Sequence, residues 1–459
     1  MRTHLGPART GDPRVTPVTH VIGAGLAGLA AALALVRAGR RVVLHEASAM
    51  AGGRCRSYYD PILKTRIDNG NHLVLSGNRA TLAYLAAIGA SDRLSGPADA
   101  QFPFMDLQSG ERWTLRLSAS RIPWWMLDAR KRVLGTRTRD YLSLVKLMLA
   151  RPAAPAARVA SVADVTGGGV LYERLTRPLF LAALNTDPAE APAALAAAVM
   201  RETLAAGGRA CRPLFAREGL SHALIDPALD TLRAGGAALQ FGSRLIELEF
   251  QSDSNGAAAA TALRFRSEAG TPQQLALGPA DSVVMAIPAS AAGNLLPGLQ
   301  TPNVFRAIVN AHFLVTPPPG CPPILGLVNA TAEWIFAFEN RLSVTISGAD
   351  RLLDVDRETL ARQLWREVAI ATGARHGGHA DASIDALPPW QIVRERRATY
   401  AALPEQEARR PGTRTRWSNV FLAGDWTATG LPATIEGAIR SGDAAAACVL
   451  HAGHRRNVH

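Results

Sequence analysis

Lysine is nearly absent. Among 459 residues it occurs only at Lys64, Lys131 and Lys146, so the net charge of +12 is an arginine charge. No nucleic-acid-binding module accompanies it, which argues against nucleic acid as a partner and leaves a solvated basic surface or attraction to an anionic membrane. Cysteine is scarce as well. Cys55, Cys211, Cys321 and Cys448 are scattered with no C-x-x-C pair, a distribution that argues against a zinc site, a dithiol centre or a disulfide scaffold. No apolar run is long enough to span a bilayer. Residues 1–16, rich in Arg, Pro, Gly and Thr without a hydrophobic stretch, read as a disordered tail and not as a signal peptide. What is present is a 48 % hydrophobic chain, ample for burial and long enough to expect two intertwined domains.

The most informative stretch runs from Val18 to Arg54. An apolar strand (Val18 to Ile22) enters Gly23-x-Gly25-x-x-Gly28, an Ala/Leu-rich helix follows to Arg37, and a second strand from Arg41 ends at Glu46. Gly23 permits the tight turn, Gly25 admits a pyrophosphate to the backbone, and Gly28 lets helix and strand pack closely. Glu46, about 20 residues on, is placed to accept hydrogen bonds from adenosine ribose hydroxyls. Gly52-Gly53-Arg54 then resembles the segment that continues along the FAD pyrophosphate in flavoproteins of the amine-oxidase and carotenoid-desaturase type. FAD is therefore the expected cofactor. No second glycine fingerprint follows, so a separate NADPH unit is not expected.

Further along, Asp68-Asn69-Gly70-Asn71-His72 forms a polar turn inside a short strand. On the residues alone His72 reads first as a satisfied structural histidine and second as a functional one. Residues 79–89 have helical spacing with Gly89 as a stop. Residues 118–151 interleave Trp124, Trp125 and Met126 with Arg121, Arg130, Lys131, Arg132, Arg137, Arg139 and Lys146. Two readings stay open there: a helix pair in a membrane interface, or a helical subdomain with a buried aromatic patch. Residues 237–248 and 282–288 are strand-like, as are Ala307 to Val315, Ile324 to Val328, Trp334 to Phe338 and Leu342 to Ile346, the last four as an antiparallel sheet. Arg357 to Thr372 is an amphipathic helix. His376 and His379 lie close in a loop without further ligands and read as simply polar, so no metal is expected. Near the C terminus a strand ends in Gly424-Asp425, and Pro432 and Thr434 open a helix whose N-terminus would stabilise negative charge at the flavin N1/O2 edge.

The strings D-N-G-N-H-L-V-L (Asp68 to Leu75), L-N-T-D-P (Leu184 to Pro188), R-A-T-Y (Arg397 to Tyr400) and L-A-G-D-W-T-A-T-G-L-P-A-T-I-E-G-A-I-R-S-G (Leu422 to Gly442) together resemble the hydroxysqualene dehydroxylase family. These are FAD-dependent enzymes of bacterial hopanoid synthesis within the amine-oxidase and phytoene-desaturase superfamily. The resemblance covers nearly all of the chain after the tail. It departs at Asn71, where the family often has Gln, keeping the amide with a shorter reach.

The expectation that follows is an α/β protein with a discontinuous, Rossmann-like (GR2-type) FAD-binding domain over 17–78, 215–298 and 415–452. An α+β substrate domain, with an antiparallel sheet and helices, would take 79–214 and 299–414. By position the resemblance places Gly23, Ala24, Gly25, Leu26, Ala27, Gly28, Glu46, Ala47, Gly53, Arg54, Asn69, Gly70, Asn71, Leu245, Gly424, Asp425, Pro432, Thr434, Ile435 and Glu436 around FAD. Asp425 would contact the ribityl chain and Leu245 would offer its backbone to the adenine. The implied substrate is a C30 isoprenoid lipid, hydroxysqualene, reduced to squalene by loss of water and gain of a hydride from reduced FAD. His72 and Asp68 are the acid candidates. An electron donor must reduce the flavin, and no motif identifies it. A lipid substrate favours the membrane reading of residues 118–151 and a cytoplasmic protein held peripherally on the inner face of the cell membrane. The rivals are another flavin oxidoreductase of the superfamily, of carotenoid-desaturase or amine-oxidase type, and a non-catalytic lipid-binding relative.

Overall fold

The computed structural model describes residues 17–152, 159–252, 258–267, 270, 272–376 and 383–456. The expected tail at 1–16 and His379 lie outside the described residues. Strands Ala238–Gln240, Arg41–His45, Val18–Ile22, Ser282–Met285 and Val420–Leu422 form, in that order, one parallel sheet. Its central strands are almost wholly buried, with the Leu26–Arg37 and Ile435–Arg456 helices on one face and the antiparallel strands Ser243–Ser252 and Ala258–Ser267 on the other. Three distant stretches of chain thus supply one sheet.

The Leu26–Arg37 helix is buried along most of its length, and the C-terminal helix, Ile435–Arg456, packs on it. Small residues make that approach possible. A Cβ on Gly442 would lie 2.2 Å from the carbonyl oxygen of Ala27, closer than any real side chain tolerates. The Arg79–Ala87 helix joins the same core through Tyr84 and Leu85. It therefore packs with the nucleotide-binding part, past the boundary expected at residue 78.

A second, seven-stranded sheet has the order Trp390–Tyr400, Phe305–Leu314, Arg341–Ile346, Trp334–Phe338, Ile324–Val328, Gln101–Asp106, Arg112–Arg116. It is antiparallel except where Ile324–Val328 runs parallel to Gln101–Asp106. The Arg357–Thr372 helix packs on it through Trp365, whose ring meets Phe313. The alternating pattern of 307–346 predicts the middle of this sheet. Trp390–Tyr400, with four consecutive charges at 394–397, escapes such a pattern.

Residues 118–151 differ from the expected helix pair. They hold two short 3-10 turns, Trp124–Leu127 and Thr138–Tyr141, and one helix of two turns, Leu142–Met148. Pro123 at the entry and Gly135 with φ 82° interrupt any longer helix. Trp125 is buried edge-on against Tyr141, while Trp124 faces solvent. Among the described residues no helix is long and apolar enough to cross a membrane.

Candidate active site

The glycine turn shows what each glycine is for. Gly23 has φ 103°, and a Cβ there would sit 2.3 Å from the Ala286 carbonyl oxygen; one on Gly28 would sit 1.8 Å from the carbonyl oxygen of Gly23. A Cβ on Gly25 would meet nothing within 4 Å. Two glycines are demanded by packing and the middle one by open space beside the turn. Gly25 is the N-cap of the helix that begins Leu26-Ala27-Gly28, with no side-chain cap and no acidic residue in the first turn. Its first amides are accordingly free to meet an anion from outside the chain.

Glu46 clamps this turn. Its Oε2 accepts from the Ala24 amide at 2.8 Å, and its Oε1 accepts from the amide and hydroxyl of Ser48. Ionised carboxylates carry about four acceptor sites, so capacity remains for a ribose. Ala47 continues the same bend. The adjoining hairpin arrives through Ser243, whose amide donates to the Glu46 carbonyl, and places Leu245 buried two residues further on.

The Gly52-Gly53 segment lies against the glycine turn: the Gly52 amide donates to the Ala24 carbonyl at 2.8 Å, and Gly25 and Gly52 form a parallel bridge. Arg54 reaches across the fold, donating to Asp425 Oδ1 at 2.6 Å and to the Ala398 carbonyl. Three motifs far apart in sequence, Gly-Gly-Arg, Arg-Ala-Thr-Tyr and Gly-Asp-Trp, therefore meet at one guanidinium. The Asp425 carboxylate raises the Arg54 pKa, burial opposing it.

Gly424 donates its amide to Ser441 Oγ at 2.7 Å, which joins the strand end to the C-terminal helix. Thr434 Oγ1 accepts from the Gly437 amide, capping that helix behind Pro432 and ahead of Ile435. Glu436 departs from its expected place. Its carboxylate accepts from the amides of Ala80 and Thr81, the Thr81 hydroxyl and Arg440 Nε. The side chain caps the Arg79–Ala87 helix and is thereby used up inside the protein.

Asp68 is likewise engaged. Its Oδ1 accepts from Ser57 Oγ at 2.6 Å and from the Leu220 amide at 2.9 Å. Burial raises its pKa, those hydrogen bonds opposing. Asn69 pairs with Arg56 through its Oδ1, and its carbonyl accepts from Asn310 Nδ2. A Cβ on Gly70 would touch Asn310 Nδ2 at 3.3 Å. Asn71 Nδ2 donates to Thr345 Oγ1 at 3.0 Å, while its buried Oδ1 has no hydrogen-bond partner among the described residues. The turn thus joins the nucleotide-binding part to the second sheet. His72 beside it is held at a pKa of about 4 by burial, its ring N–H facing the Arg54 carbonyl. A histidine with that pKa is neutral near pH 7, which removes the ready proton an acid role requires.

Arg410 was not singled out by sequence. It is buried, donates to the carbonyls of Asp425, Thr427 and Leu431, and pairs with Glu407 at 3.0 Å. One arginine among dozens gives no sequence signal; only the fold shows that it shapes the Gly-Asp loop.

A family model described as "Flavin containing amine oxidoreductase" matches residues 26–450. A hydroxysqualene dehydroxylase from Rhodopseudomonas palustris is 51 % identical over 440 residues, covering 96 % of this chain and all of that protein. One from Sinorhizobium fredii is 49 % identical, covering 94 % and 98 %. The chain belongs to the hydroxysqualene dehydroxylase family of flavin-containing amine oxidoreductases. Putrescine oxidase (14 % identity, TM-score 0.65, 95 % of this chain and 99 % of that one) shares the fold. So does cyclohexylamine oxidase from Brevibacterium oxydans (15 % identity, TM-score 0.65, 96 % and 100 %). FAD is the cofactor of this family member, and the open space at Gly25 with the uncapped helix behind it fits its pyrophosphate.

Proposed function

We propose that this dehydroxylase-family protein converts hydroxysqualene to squalene. The observation that carries the reading is identity near one half along the whole length of proteins named for that reaction. The C–O bond breaks, the hydroxyl leaves as water after taking a proton, and the carbon gains a hydride. Reduced FAD supplies that hydride when bound.

The chain's own residues have four tasks in this reading. The amides opening the Leu26–Arg37 helix and the space beside Gly25 hold the pyrophosphate. Glu46 takes the ribose, and the backbone at Leu245 borders the adenine. The Arg54–Asp425 pair, fixed from behind by Arg410, would hold the ribityl side, and the start of the C-terminal helix would offer its amides to negative charge on the flavin. The Asp68–His72 turn positions these parts against the second sheet, with Asp68 and His72 holding its shape. Beyond His72 the surroundings are apolar: Leu73, Leu75 and Phe338 pack against a hydrophobic cluster that includes Phe336, walls suited to an isoprenoid chain.

A water-insoluble substrate has to be taken from a bilayer. Seven of the thirteen large hydrophobic side chains exposed among the described residues fall between Ile122 and Leu149, including Trp124 at 59 %, Leu127 at 64 % and Leu149 at 69 %. That concentration supports residues 118–151 as a docking surface at the membrane interface, with the short turns and loop presenting Trp and Leu. The test of the chemistry is anaerobic mixing of the photoreduced holoenzyme with hydroxysqualene. Stoichiometric return of the oxidised flavin absorbance is expected; no return with hydroxysqualene, or bleaching of the oxidised holoenzyme by phytoene, which gives up a hydride and does not accept one, would overturn the reading.

A further inference from the structure

Away from the flavin site, a surface cavity of about 780 Å³ lies at the end of the seven-stranded sheet, and its lining shares no residue with that site. Arg112 and Arg116 come from the edge strand, Arg130 and Lys131 from the loop that follows Leu127, and Trp113, Asp128, Phe104 and Leu325 are among the rest of the wall. Strand and loop are tied together by the Arg116 amide, which donates to the Lys131 carbonyl at 3.3 Å. Four cations therefore face one carboxylate. Asp128 stands 3.7 Å from Lys131, and the Arg112 guanidinium donates to the Ala371 carbonyl. Arg116 and Arg130 have no ion-pair partner among the described residues.

A concave site with uncompensated positive charge concentrates anions. What selects among anions is the neighbouring surface. The Trp124–Leu127 turn runs directly into Asp128, so the exposed Ile122, Trp124 and Leu127 lie on the stretch of chain that leads into the wall of the cationic cavity. A soluble anion has no use for an apolar collar. A phospholipid has that arrangement in its own structure, a phosphate one headgroup above acyl chains.

We propose that this cavity is a headgroup site for an anionic phospholipid, its phosphate held by Arg116 and Arg130 with Arg112 and Lys131 beside them. The inference rests on the docking reading above and adds a lipid class to it. The bound lipid fixes the rotation of the protein on the bilayer, which apolar insertion alone leaves free.

The experiment is co-sedimentation of the full-length holoenzyme with vesicles of phosphatidylcholine alone and of phosphatidylcholine with phosphatidylglycerol. Tighter binding to the second kind is expected. R116Q/R130Q should reduce that preference by roughly thirty-fold, the order expected for two basic residues at a membrane surface. R37Q/R41Q removes the same charge from exposed positions on the nucleotide-binding part and should change it by no more than about two-fold. Equal losses in the two double variants would overturn the site in favour of bulk charge. Equal binding of the parent protein to the two vesicle kinds, together with a rise in melting temperature on adding sodium phosphate that R116Q/R130Q abolishes, would overturn the lipid assignment in favour of a free-phosphate site. W124S/L127S separates the two readings. Weaker binding to both vesicle types supports insertion, whereas unchanged binding overturns insertion alone and leaves the cavity to the arginine pair. Retained flavin absorbance reports that each variant is folded.

Discussion

Gly25 and Gly28 stand three residues apart in one helix and are required for different reasons, which makes them separable. Gly28→Ala pushes a methyl group into the Gly23 carbonyl and should destabilise the protein by about 1–3 kcal/mol or more. Gly25 has φ −76° and free space around it, so Gly25→Ala should stay within about 0.5 kcal/mol of the parent in stability yet lower FAD affinity at least about ten-fold by occupying the pyrophosphate's place. Thermal melts of the apoproteins and FAD titrations check both. Arg54→Gln leaves Asp425, only 8 % exposed, without its ion pair. A loss of about 1–3 kcal/mol and poor flavin retention on purification are expected. His72, neutral above about pH 4, should contribute no inflection near pH 6.5 to turnover; an inflection there that His72→Asn abolishes would contradict its positioning role.

At the scale of elements the decisive contact is Glu436 on the Arg79–Ala87 helix, since it ties the start of the last helix to one far earlier in the chain. Glu436→Ala removes three acceptor interactions at a helix N-terminus and strands part of Arg440, and a loss of about 2–4 kcal/mol is expected in urea unfolding. Flavin affinity, by contrast, should change little, because the carboxylate faces the other helix. This residue also marks the limit of what sequence could tell. Glycine spacing, Glu46 and the Gly-Asp strand end are local patterns with local causes, and the parallel sheet's strands and the Arg357–Thr372 helix were legible for the same reason. The family resemblance places Glu436 by position around the cofactor, and only the packing of a distant helix reveals the use of its carboxylate. Arg410 is invisible to pattern reading for the same cause. In residues 118–151 the aromatic and basic composition was informative about surface and misleading about shape, since Pro123 and Gly135 cut the helix that leucine spacing suggested.

Taken whole, the protein joins two parts through the Asp68–His72 turn and the hydrogen bond from Arg54 to the Ala398 carbonyl, and it buries several histidines in neutral form. His45 and His312 are held at about 3, burial being the first cause for each. Between about pH 6.5, the unfolded value, and these folded values the unfolded chain binds protons that the folded protein refuses. Stability is therefore complete above about pH 6.5 and falls as pH falls, by up to about 1.4 kcal/mol per pH unit for each such histidine. Urea midpoints should stay level from pH 7.5 to about 6.5 and decline from there to pH 5, and a flat profile throughout would contradict the buried neutral state. The central claim is chemical, and single-turnover product analysis tests it most directly. Holoenzyme reduced without oxygen and given one equivalent of hydroxysqualene should yield one equivalent of squalene per flavin oxidised. Unchanged hydroxysqualene beside a folded, fully reduced flavoprotein would contradict it.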